Sequence, residues 1–199
     1  MTKQILTVLV VAALTACQQM GTGPANRSVT GRNLGAAQWE KTTPRDAKTR
    51  IPDQPANKVV AVWSRTLPVG QYQELWRVQV GLTYAKVQMA EASETGFART
   101  LADNQFRLMF QGYESGGNPV PHRSLRPELV NGVQQATYMS GTRPCLVFYR
   151  AAGYVIGAAF GIDGTAYLAG GACGPMKADP AAFHAEMNAF AAGIRVGRE

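Results

Sequence analysis

Gln71-Tyr72-Gln73-Glu74-Leu75-Trp76-Arg77-Val78-Gln79-Val80 decides the fold class of this chain. Tyr72, Trp76, Val78 and Val80 share one side, and Gln71, Gln73, Arg77 and Gln79 share the other. That period of two predicts a half-buried β-strand. Upstream, Val59 to Trp63 reads as a short apolar strand, and Leu67-Pro68-Val69-Gly70 as a turn. Downstream, Leu82 to Met89 continues the strand pattern after a kink at Gly81. Gln105 to Gln111 alternates again, with Phe106, Leu108 and Phe110 in and Gln105, Arg107 and Gln111 out. Ser93 to Asn104 fits either a helix or a loop.

Further along, Gly116, Gly117, Asn118, Pro119 and Pro121 make Tyr113 to Arg123 a loop. Ser124 has the chemistry of a helix cap, and Leu129, Val133 and Ala136 fall on one helical face, although Asn131-Gly132 weakens a helix there. Cys145 to Arg150 is apolar and aromatic and reads as a central strand. Tyr154 to Ile162 and Thr165 to Ala169 flank Asp163-Gly164, a hairpin turn signal. Asp179 then caps a final helix with Pro180 in its first turn, and Phe183, Met187, Phe190 and Ile194 form its apolar stripe. The sum is an α+β domain: a mainly antiparallel sheet with an amphipathic C-terminal helix.

The amino terminus carries a different signal. Lys3 precedes the apolar run Ile5 to Ala13, and Leu14-Thr15-Ala16-Cys17 follows. A cation, a short apolar segment and small residues mark an export signal. The run is shorter than the roughly 20 residues that span a bilayer. Leu14-Thr15-Ala16-Cys17 resembles the lipobox of bacterial lipoproteins. The resemblance implies diacylglycerol on the Cys17 thiol, cleavage before Cys17 and acylation of the new amino terminus. Each buried acyl methylene adds about 0.8 kcal/mol, so several chains hold a protein firmly at a membrane. Gln18 stands where an Asp would signal inner-membrane retention, which points to the outer membrane, facing the periplasm.

On this reading residues 1–16 are the signal peptide. Residues 17–57, rich in glycine, proline and cations and without hydrophobic periodicity, are a lipidated flexible tether, and 58–199 are one domain. The composition, 46% hydrophobic and 17% charged, is that of a globular protein. The formal charge of +7 becomes +6 once Lys3 leaves with the signal. In the envelope such a charge favours anionic wall polymer, lipid or acidic exopolysaccharide, and the compartment argues against nucleic acid. With Cys17 lipidated, Cys145 and Cys173 are left as the possible intrachain disulfide in an oxidising compartment. Closing that loop stabilises a fold by about 3–4 kcal/mol on the loop-entropy model.

Chemistry-bearing motifs are sparse. Glu114-Ser115-Gly116-Gly117-Asn118-Pro119 resembles the Glu-Ser-x-x-Asn-Pro motif of peptidoglycan lytic transglycosylases, which implies Glu114 as general acid/base. In that family the glutamate ends an apolar helix, whereas Phe106 to Phe110 here alternates like a strand. Gly-Gly-Asn-Pro is also ordinary loop chemistry. Trp39, Trp63 and Trp76 have rings that stack on sugars, but Trp63 and Trp76 sit on apolar strand faces, where core packing is the expected role. His122 reads as a loop residue and His184 as an exposed helix residue, and neither has a spacing that implies a metal or a cofactor.

A broader resemblance runs through the mature chain. The lipobox and Pro-rich segment are followed by Gln71-Tyr72-Gln73-Glu74, Asn104-Gln105, Pro144-Cys145-Leu146-Val147-Phe148-Tyr149 and Ala172-Cys173-Gly174-Pro175, then the helix. This order is similar to small envelope lipoproteins encoded beside bacterial cellulose-synthesis genes. It implies a non-enzymatic assembly or binding role in exopolysaccharide production or export, with no catalytic residue. The alternative is a lytic transglycosylase-like enzyme using Glu114.

Overall fold

The stretch around Trp76 becomes an inner strand of an eight-stranded sheet. A computed structural model describes residues 38–67, 71–91, 100–152 and 166–197. Its elements run β1 (Glu40–Thr42), β2 (Thr49–Arg50), β3 (Asn57–Thr66), β4 (Tyr72–Val80), β5 (Thr83–Glu91) and α1 (Asp103–Met109). Then come β6 (Glu114–Ser115), β7 (Asn118–Pro119), a 3-10 turn (His122–Ser124), β8 (Glu128–Val130), β9 (Val133–Ser140) and β10 (Arg143–Ala152). Last are β11 (Ala166–Cys173), α2 (Pro180–Gly193) and β12 (Arg195–Val196). The strand order is β1-β3-β4-β5-β11-β10-β9-β8, antiparallel at every step, with β2–β12 and β6–β7 as separate pairs.

The alternation along the strands sorts the core into two layers. On the first face Trp76, Val78, Val87, Met89, Leu146, Phe148 and Leu168 meet Phe183, Met187 and Phe190 of α2. Each such large side chain contributes roughly 1.5–3 kcal/mol when fully buried. The Asp179 side chain accepts from the amides of Ala181 and Ala182, both at 3.2 Å, and so starts α2 where the sequence predicts. On the second face Val147, Tyr149, Ala136 and Ala169 pack under Phe106 and Phe110 of α1, with Tyr113, Val120 and Leu125. Strands β9 to β11 are therefore covered on both sides. Over β3 to β5, no described helix covers the second face.

The disulfide is present. Cys145 and Cys173 are direct partners in the β10–β11 register, with a Cα–Cα distance of 4.0 Å. The bridge pins two central strands, not a loop. Reduction is expected to lower unfolding stability by about 3–4 kcal/mol. Denaturant titration with and without reductant measures this, and coincident midpoints would contradict it.

Several expectations need correction. Gln105 to Gln111 lies largely in α1, not in a strand: Phe106 and Phe110 are fully buried one turn apart, while Leu108 is 55% exposed. Leu129, Val133 and Ala136 form no helix. Asn131 and Gly132, at φ of 52° and 75°, turn β8 into β9, and Leu129 stays 64% exposed. Gly81 is the turn of the β4–β5 hairpin, so Thr83–Glu91 is a new antiparallel strand rather than a continuation. Tyr113 to Arg123, expected to be loop, carries the β6–β7 hairpin and the 3-10 turn.

Part of the segment expected to be a flexible tether, residues 17–57, is folded. β1 pairs with β3, β2 pairs with β12, and Ala47 and Thr49 are buried, so residues 39–57 belong to the domain. Residues 1–37, with Cys17 and the signal segment, lie outside the described residues. So do 68–70 of the Leu67–Gly70 turn, 92–99 of the ambiguous segment, and Asp163-Gly164 with its flanks from 153 to 165.

Candidate functional site

The uncovered part of the second face is the floor of a groove of about 560 Å³. Trp63 on β3, Leu75 and Arg77 on β4, and Tyr84 and Lys86 on β5 form that floor. These side chains alternate with those that enter the α2 core, so strand pleating alone sets them on the open side. Arg77 and Lys86 are direct cross-strand partners, as are Trp63 and Leu75.

One wall is the β6–β7 hairpin, with Glu114, Ser115, Gly116 and Gly117. Gly116 has φ of +59°, and a Cβ there would stand 3.0 Å from the Cys173 Cβ and 3.2 Å from an Arg143 nitrogen. Only glycine satisfies both the turn and that close approach. Arg143 fastens the hairpin to the sheet. It donates to the carbonyls of Gly174 at 2.8 Å, Cys173 at 3.2 Å and Gly116 at 3.3 Å. Tyr113 is buried at the hairpin's root and donates its hydroxyl to the Lys86 carbonyl at 3.0 Å. Burial pushes its phenol well above the usual range. Gly171 continues the Arg77–Lys86 row into β11, and a Cβ there would stand 2.9 Å from the Leu146 carbonyl oxygen.

The charges on the floor are unevenly matched. The Lys86 ammonium lies 5.2 Å from the Tyr113 ring centroid, and the Arg77 guanidinium 5.3 Å from that of Tyr84. Desolvation lowers the Lys86 pKa, and the Glu114 carboxylate opposes the shift. Tyr84 is 53% exposed and Glu114 is also open to solvent. An aromatic and apolar floor with cations along it can hold a flat ligand that carries negative charge.

No protein-family model, curated protein or solved structure matches the chain.

The residues singled out from sequence scatter over the fold. Glu114 lines the groove, on a hairpin strand separated from α1 by Phe110 to Tyr113. Trp63 lines it too, half-buried, rather than entering the core. Trp76 is a core residue, and its indole nitrogen donates to Glu74 at 2.9 Å. Trp39 stacks with the Arg65 guanidinium, 4.1 Å from the ring centroid. His122 lies in the 3-10 turn, beside Arg107 and Arg123 in a second hollow. His184, expected to be exposed, is half-buried on α2, where desolvation lowers its pKa. Cys145 and Cys173 bond to each other. Among the described residues no three His, Cys, Asp or Glu side chains gather as metal ligands.

Two features escaped sequence reasoning. One is the Arg77–Lys86 juxtaposition, which exists only through the β4–β5 register. The other is Glu74, which shares the core side of β4 with Tyr72 and Trp76. Its carboxylate, fully buried, accepts from the Lys48 amide at 2.5 Å and the Thr49 amide at 3.1 Å, besides Trp76. Beside it the Tyr72 phenol is pushed up to about 12, first by burial and then by the neighbouring Glu74 charge.

Proposed function

We propose that this protein is a lipid-anchored component of the bacterial cell envelope whose domain binds glycan without cleaving it. On this reading Cys17 carries the lipid, at an outer membrane facing the periplasm, and the process served is exopolysaccharide production or export. The observation that carries the binding role is the groove, with Trp63 and Tyr84 beside Arg77 and Lys86 on one sheet face. The lipobox motif supports the address, and the order of motifs along the chain supports the process.

A second reading has one observation in its favour: Glu114 lines the same groove. A general acid works from a fixed, partly desolvated carboxyl. Glu114 is solvent-exposed on a two-residue strand of a glycine hairpin, which supports binding over cleavage. The test is incubation of the purified full chain with peptidoglycan, followed by chromatography of the soluble products. No anhydromuropeptide is expected from the wild type or from Glu114→Gln. Release by the wild type alone would replace the binding role with a lytic one.

A further inference from the structure

We propose that Arg77 and Lys86 form an anion subsite, and that the groove's ligand is an acidic saccharide. Its carboxylate lies between the two cations and its ring against Trp63. The inference rests on the glycan-binding reading and names the ligand class.

Arg77 and Lys86 face each other directly across β4 and β5. Like charges in that position oppose strand pairing. Among the described residues neither belongs to a salt bridge. Each cation instead stands near an aromatic ring, Tyr84 for Arg77 and Tyr113 for Lys86. A ring attracts a cation but leaves its charge in place. Glu114 is the carboxylate whose charge reaches Lys86, and it makes no ion pair with it. Arg143 adds a third cation to the wall, although its own donors are committed to carbonyls. Among the described residues, three cations thus line the groove against one carboxylate.

The pair therefore has an unmet need for a negative group, and its chemistry says which. The planar guanidinium of Arg77 matches a carboxylate with two parallel hydrogen bonds, and the ammonium of Lys86 supplies a point charge beside it. Trp63 supplies the second half of the recognition. It pairs with Leu75, two residues before Arg77 on β4, so indole and guanidinium are diagonal neighbours on one face. A half-exposed indole beside an apolar side chain suits the C–H face of a pyranose, while its edge stays wet. A saccharide bearing a carboxylate satisfies both halves at once. An inorganic anion would leave Trp63 unused, and a neutral glucan would leave the cations unpaired. Among the described residues the rim is open at Gly117, where a Cβ would meet nothing within 4 Å.

The test is calorimetric titration of the full chain, purified in detergent, with three probes: a galacturonic-acid trimer, cellotetraose and inorganic phosphate. The trimer is expected to bind at least tenfold more tightly than either of the others, and to weaken several-fold as salt is raised from low to physiological strength. Arg77→Gln/Lys86→Gln is expected to lose at least tenfold of that affinity, and Trp63→Ala a comparable amount. Glu114→Gln, which removes the competing carboxylate, is expected to tighten binding. Far-ultraviolet circular dichroism confirms that each variant is folded. Equal binding of cellotetraose, unmoved by Arg77→Gln/Lys86→Gln, would overturn the acidic subsite and leave glycan binding standing. Phosphate binding as tight as the trimer, unmoved by Trp63→Ala, would reduce the site to a bare anion hole and overturn the proposal. Binding of neither saccharide would overturn the glycan reading as well.

Discussion

Cys17→Ser is expected to abolish incorporation of a palmitate analogue and to release the protein from the membrane fraction. The effect should be close to all-or-none, because a serine hydroxyl cannot take the place of the thiol in the thioether that holds the diacylglycerol. Several acyl chains on one residue carry tens of buried methylenes, at about 0.8 kcal/mol each, which suffices to hold a chain at a membrane. Among the described residues no helix is long and apolar enough to cross a membrane. In-gel fluorescence after metabolic labelling, with fractionation of the same cells, reads both effects. Equal labelling of wild type and variant would remove the lipid anchor from the proposed function.

Glu74→Ala is expected to be among the most damaging single changes in the folded domain. The carboxylate is 0% exposed and accepts from the backbone amides of Lys48 and Thr49 and from the Trp76 indole. Truncation leaves those three donors facing the gap. Each unsatisfied buried donor costs about 1–3 kcal/mol, so a total loss of about 3–5 kcal/mol is expected even with some relaxation. Glu74→Gln keeps an acceptor oxygen but adds two hydrogens toward existing donors, and should fall between alanine and wild type. Equilibrium denaturation compares the three. A loss under about 1 kcal/mol for alanine would mean that water reaches the donors and the site is less closed than its burial indicates.

The same glutamate explains why the domain boundary was hard to read. Residues 38–57 have no hydrophobic period, and their attachment comes largely through backbone groups, which leave no mark on a composition profile. The partner lies about 25 residues away in a strand whose alternation was legible, but an acid on the apolar side of a strand does not announce what it binds. Elements of clear period were recovered: β4, β10 and α2 each span enough residues for their repeat to show. Helix α1 is not legible in the sequence, because Phe106, Leu108 and Phe110 satisfy a period of two, while Phe106 and Phe110 alone satisfy a helical turn. Seven residues are too few to separate the two patterns. The Asn131-Gly132 hairpin was visible as a turn signal but was outweighed by the spacing of Leu129, Val133 and Ala136. In the groove, Arg77 was legible as an outward residue. Its opposition to Lys86 was not, because Gly81 read as a kink and the register of β4 on β5 depends on its being a tight turn.

Strand β1 has a mechanical consequence. It is an edge strand of three residues, hydrogen-bonded to β3 alone, and it is where the amino-terminal segment enters the described domain. Tension delivered through that segment across the strands falls on the β1–β3 hydrogen bonds one after another, as in a zipper, so β1 yields under modest load. The next hold along the chain is of another kind. The Lys48 and Thr49 amides are clasped together by one interior carboxylate, and β2 is sewn to β12 next to them. Peeling would stall at residue 48. Shedding β1 would release several residues while the groove, on strands beyond the stall point, kept its shape.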